Sequence, residues 1–180
     1  MVVEEDGMQV QDVTSGEVLR RWRRAPVAFI REALIDPETG HHFELYPAEE
    51  RFLCEALTPR RDGRLPYPEL LFSAPKKSGK TALAAMATIY VVICIGGPYA
   101  EAYCVANDFE QAQGRVYQAI VRIIEASPLL RDIAKITANR IEFPSTGATI
   151  SAIASDYAGA AAGRPEIDSG ACVGADGSDS

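Results

Sequence analysis

Ser73-Ala74-Pro75-Lys76-Lys77-Ser78-Gly79-Lys80-Thr81 is the stretch that decides how the rest of this 180-residue chain is read. From Ala74 to Thr81 it keeps every fixed position of the G-x-x-x-x-G-K-[ST] phosphate-loop pattern (Walker A) except the first, where alanine replaces glycine. The pattern answers a physical demand. Successive backbone N–H groups must turn inward on a phosphate, a helix N-terminus must add its dipole, a lysine must reach the outer oxygens, and a hydroxyl must ligate Mg²⁺. Gly79, Lys80 and Thr81 supply the last three elements, and three of the chain's four lysines (76, 77 and 80) fall in this loop.

Working outward, Glu69-Leu70-Leu71-Phe72-Ser73 reads as a buried strand entering the loop, and the alanine-rich run Ala82 to Ile95 reads as the helix leaving it. Glu101 to Ala106 is a second strand, followed by a helix from about Phe109 to Ala126 with Asp108 placed to cap it. After Ser127-Pro128 comes a short helical turn. Arg140 to Phe143 and Ala148 to Ile153 then read as strands joined by the turn Pro144-Ser145-Thr146-Gly147. Upstream, Pro26 opens a helix reaching about Leu34, and Pro47 opens a short amphipathic helix that ends at Leu57. Alternation of strands and helices predicts an α/β fold with a mainly parallel sheet.

Composition bounds the rest. The chain is 47% hydrophobic and 24% charged, as expected of one globular domain, and its net charge of -7 excludes a uniformly basic nucleic-acid-coating protein. The apolar run from Leu83 to Ile95 is too short to span a membrane, and Glu4, Glu5 and Asp6 stand where a secretory leader would carry bases. Residues 1–24 read as an arm, acidic and then rich in arginine, and partly disordered. Residues 25–165 read as the domain. Residues 166–180, dominated by Gly, Ser, Asp and Ala, read as a disordered tail.

Other chemistry is sparse. Hydrolysis by a phosphate-loop protein calls for a second strand ending in an acidic pair. The nearest candidate is Asp156, after Ile150 to Ser155, and it is followed by Tyr157 rather than glutamate. Glu166 and Asp168 have no apolar strand before them. His41-His42 point to opposite faces of an extended segment and so cannot chelate together. The four cysteines form no C-x-x-C pair, which argues against zinc and for a reducing compartment.

Together Phe43-Glu44-Leu45-Tyr46-Pro47, the loop 73–81, Ala102 to Ala112, and Ala154-Ser155-Asp156 ahead of Ala162-Gly163 resemble the large terminase subunit of tailed bacteriophages, over about residues 25–165. The resemblance implies an ASCE-type P-loop NTPase that uses ATP and Mg²⁺ to package DNA. Its implied partners are the small terminase subunit, the portal protein and double-stranded DNA, in the cytoplasm of a bacterial host and with no membrane. By the same resemblance Lys80 contacts the phosphates, Thr81 the Mg²⁺, and Lys77, Ser78 and Gly79 form the cradle. Lys76 stands where many members carry an arginine acting on the γ-phosphate, and Glu49 stands where they carry an adenine-contacting glutamine. Asp156 is the metal-shell candidate. The family continues past Gly163 to an apolar strand ending in Asp-Glu and then to a nuclease domain. This chain reads differently there, so the sequence predicts a sheet incomplete at its C-terminal end and a truncated ATPase of low activity. Two rivals are a non-catalytic module that docks the small terminase subunit or another partner with a vestigial P-loop, and a small kinase.

Overall fold

The computed structural model of the chain describes residues 16–106, 113–154 and 171–174. A layer of helices comes first: α1 (Gly16–Trp22), α2 (Pro26–Ala33) and α3 (Pro47–Leu57). Prolines open α2 and α3, where the missing N–H costs no helical hydrogen bond. The long helix α4 (Lys80–Tyr90) runs into a π-helical turn, Val91–Ile95, closed by the Gly96 N–H donating to Val91 O at 2.7 Å. Gly96 is required at this bend, because a Cβ there would lie 2.5 Å from that of Ala100.

The chain then enters β1 (Glu101–Ala106). Beyond it, a π-helical turn (Gln113–Tyr117) leads into α5 (Gln118–Ala126) and α6 (Pro128–Arg131). Four strands follow: β2 (Lys135–Ile136), β3 (Arg140–Phe143), β4 (Ala148–Ala154) and β5 (Ala171–Gly174). The sheet order is β2-β3-β4-β1-β5. β1 lies parallel to β4, with Glu101 opposite Thr149, and parallel to β5, with Ala102 opposite Ala171. The β2–β3 and β3–β4 pairs are antiparallel, so the sheet is mixed rather than mainly parallel. The reason is local: the turn at 144–147 is too short for a crossover and forces β4 back alongside β3.

Helices α4 and α5 pack on each other and form the centre of the core. Leu83, Met86 and Ile89 of α4 and Ile120, Ile123 and Ile124 of α5 are buried, with Ile141, Phe143 and Ile150 contributed by the sheet. Period-two burial in β3, where Arg140 is exposed and Ile141 and Phe143 are buried, marks its inner face. An aromatic column ties the N-terminal helices to α4. Trp22 stands edge-on to Phe29 at 5.3 Å, Phe29 lies 5.7 Å from Tyr90, and the Tyr90 hydroxyl donates to Arg23 O at 3.0 Å.

Two expectations are revised. Glu69 to Ser73 is not a strand: the segment pairs with no other strand among the described residues, Leu70 and Leu71 are 40% and 88% exposed, and Phe72 packs on Phe52 of α3 instead. The basic part of the arm carries α1, whose Trp22 is fully buried, while residues 1–15 lie outside the described residues. The expectation of a structureless tail fails for Ala171–Gly174, which pair along β1, while the rest of 166–180 lies outside the described residues. Backbone pairing with an open strand edge needs little apolar side chain, so composition does not reveal it.

Candidate functional site

Two residues of the loop have left-handed backbones, Lys77 at φ 67° and Gly79 at φ 78°, with Ser78 between them outside that region. Alternation of this kind turns successive N–H groups toward a common point, the arrangement that receives anions. Glycine reaches such a conformation freely, whereas lysine at 77 pays about 1 kcal/mol for it, a strain typical of loops built for a ligand. Gly79 is also the residue before α4, and its carbonyl accepts the Leu83 N–H at 2.9 Å. It brings no side chain to cap the first amides of that helix, so the positive end of the helix dipole faces the loop.

The Lys80 ammonium folds across the loop, donating to Ala74 O at 2.5 Å and lying 3.5 Å from Pro75 O. Thr81 is the second residue of α4 and is exposed, as are Lys76 and Lys77. The Ser78 hydroxyl is different: its oxygen is buried and makes no hydrogen bond. An orphaned buried hydroxyl costs about 1–3 kcal/mol. A phosphate oxygen or a metal-bound water held in the loop would satisfy it, so the residues present fit a magnesium nucleotide. Lys80, Ser78 and the loop amides would hold its phosphates, with Thr81 on the metal.

Glu49 comes to the loop from α3, which packs against α4. One carboxylate oxygen accepts the Tyr46 N–H at 2.9 Å across the first turn of α3, and the other lies 3.7 Å from where a Cβ on Gly79 would stand. Thirty residues of sequence separate the two, and only the packing of the helices brings them together. Asp156 lies outside the described residues, as do Asp108, Glu166 and Asp168. The strand that sequence reasoning missed, β5, lies beside β1, and the signal was the short run Ala171-Cys172-Val173 after Gly170.

Nothing else among the described residues competes. No group of three or more His, Cys, Asp or Glu side chains is placed to hold a metal ion. His42 faces Leu34 O through Nδ1 at 3.1 Å and sits in a bridge to Ile35, while His41 is exposed, so the pair does not converge. Burial pushes the thiols of Cys94 and Cys104 up to about 12, which leaves them protonated packing groups rather than nucleophiles. The Tyr117 hydroxyl is likewise raised to about 12, chiefly by burial, and donates to Thr137 O at 2.8 Å. Among the described residues no helix is long and apolar enough to cross a membrane.

No family model matches the chain, and no curated protein matches it. Among solved structures, the crystal structure of the HK97 bacteriophage large terminase matches at 21% sequence identity with a TM-score of 0.58. The match covers 73% of this chain but 27% of that one, so the chain is similar in fold to one part of a phage large terminase.

Proposed function

We propose that this chain is the ATP-binding portion of a terminase-type DNA-packaging ATPase, with Mg-ATP held on the loop 73–81. One observation carries the reading: a left-handed Gly79 delivers Lys80 and Thr81 to the start of α4, with Lys80 folded over the loop and the Ser78 hydroxyl buried without a partner. These features support a polyphosphate site, on a fold similar to one part of the HK97 bacteriophage large terminase. Bound Mg-ATP supplies a transferable phosphoryl group. Lys80 would balance charge on its outer oxygens, Lys77, Ser78 and Gly79 would cradle it, Thr81 would hold the metal, and Lys76 would add a further positive charge to the loop. Asp156, which lies outside the described residues, would be the candidate for the metal shell. Lysine at 76 offers a point charge in place of a bidentate fork.

Double-stranded DNA, a small terminase subunit and a portal protein are the partners this reading entails, in a bacterial host. Without an acidic pair to position water and metal, turnover is expected to fall about 10²–10⁴-fold below that of an enzyme so equipped. Calorimetric titration with Mg-ATP tests the reading: binding to the wild-type chain is expected, with at least tenfold weakening in Lys80→Ala. Identical binding heats for the two proteins would refute it.

A further inference from the structure

The Glu49 carboxylate has a second property, distinct from any contact with a base. It lies against Gly79, at the positive end of α4, where an arriving phosphate is drawn. It is also held there: its other oxygen is tied to the Tyr46 N–H at 2.9 Å, so the group cannot swing away without breaking the bond that closes the first turn of α3. The neighbouring acid Glu50 is neutralised by an ion pair with Arg31 of α2, whereas Glu49 faces the loop. The Lys80 ammonium is turned onto the Ala74 carbonyl.

We infer that Glu49 is a built-in anionic competitor at the phosphate loop, so that the loop accepts a polyphosphate whose charge is already compensated by a divalent cation and resists the bare polyanion. The inference rests on the nucleotide-binding reading above and adds a selection to it. A carboxylate at a helix N-terminus satisfies part of the same dipole that a phosphate would. It also repels any phosphate that comes alongside, and the repulsion is greater for metal-free ATP than for Mg-ATP because the metal-free form carries more negative charge. Glutamine at this position keeps an oxygen for the Tyr46 N–H and removes the charge alone.

The test compares the full-length chain with Glu49→Gln and Glu49→Asp, titrated calorimetrically with ATP in excess EDTA, with Mg-ATP, and with metal-free tripolyphosphate. Glu49→Gln is expected to bind metal-free ATP and tripolyphosphate about tenfold more tightly than wild type, with a gain of about threefold or less for Mg-ATP. Glu49→Asp keeps the charge and should gain less than Glu49→Gln. Three results would overturn the inference. The first is no gain in Glu49→Gln while Lys80→Ala still weakens binding at least tenfold. The second is an equal gain in Asp and Gln, which would make the effect one of reach rather than charge. The third is a gain for ATP absent with tripolyphosphate, which would place Glu49 against the base. If Lys80→Ala instead binds Mg-ATP as wild type does, it is the nucleotide reading that fails.

Discussion

The aromatic column at the N-terminal end of the domain and the segment that feeds the phosphate loop are built from similar residues with opposite outcomes. Trp22, Phe29 and Tyr90 are fully buried and stack in sequence across three helices. Tyr67, Leu70 and Leu71 are 52%, 40% and 88% exposed, and only Phe72 of that stretch finds an aromatic partner, Phe52 at 4.9 Å. Hydrophobic side chains therefore do not by themselves make a core element. Those of α1 and α2 have a helix face to meet, whereas Glu69 to Ser73 meet no strand among the described residues. Stability is expected to reside in the first region and ligand response in the second.

The largest effect belongs to the column. Trp22→Ala should cost about 3–5 kcal/mol in denaturant unfolding, because it empties a fully buried site and leaves Glu32 without the indole N–H that reaches it at 2.8 Å. A loss below about 1 kcal/mol would show that α1 is a detachable arm after all, and the contrast would collapse. Gly147→Ala comes next, at about 1–3 kcal/mol. Its φ is 71°, and an added Cβ would meet the Tyr99 ring at 2.6 Å.

Alkaline pH sharpens the comparison through buried thiols. Cys94 and Cys104 ionise near 9.0 when unfolded and at about 12 when folded, chiefly because burial disfavours the thiolate. The native state thus holds protons that the unfolded chain releases. The stability they contribute is complete below pH 9 and is lost as pH rises toward 12. Cys54, which is exposed, should react with iodoacetamide at pH 8 well before either buried thiol does. Equal rates, followed by mass spectrometry, would mean that the core opens freely. The smallest effect is expected at Leu71→Ser, within about 0.5 kcal/mol of wild type, since the side chain is 88% exposed. A loss of several kcal/mol would show that the segment feeding the loop is a core element.

Much of this architecture is legible in the sequence where local pattern and burial agree. Glu101–Ala106 is a strand with the bounds its apolar run suggests, Pro26–Ala33 is a helix opened by its proline, and Arg140–Phe143 with Ala148–Ala154 form the hairpin that their turn residues mark. Sequence fails where an element depends on a distant partner. Glu69 to Ser73 has the composition of a strand but no ladder to join among the described residues, and Ala171–Gly174, a short run in a Gly-, Ser- and Asp-rich stretch, pairs along β1. The site shows the same division. Gly79 and Lys80 are visible from spacing, because the loop's conformation is a local property of nine residues. The packing of Glu49 against Gly79 depends on how α3 lies against α4, which no local pattern encodes.

The central claim is that the loop 73–81 and the start of α4 form the nucleotide-binding site, and hydrogen exchange read by mass spectrometry with and without Mg-ATP tests it most directly. Amides of residues 76–83 should slow at least tenfold on adding Mg-ATP, with no such change in Lys80→Ala and little in the hairpin formed by β3 and β4. Saturating Mg-ATP that left residues 76–83 exchanging as before, or that protected the hairpin instead, would contradict the account.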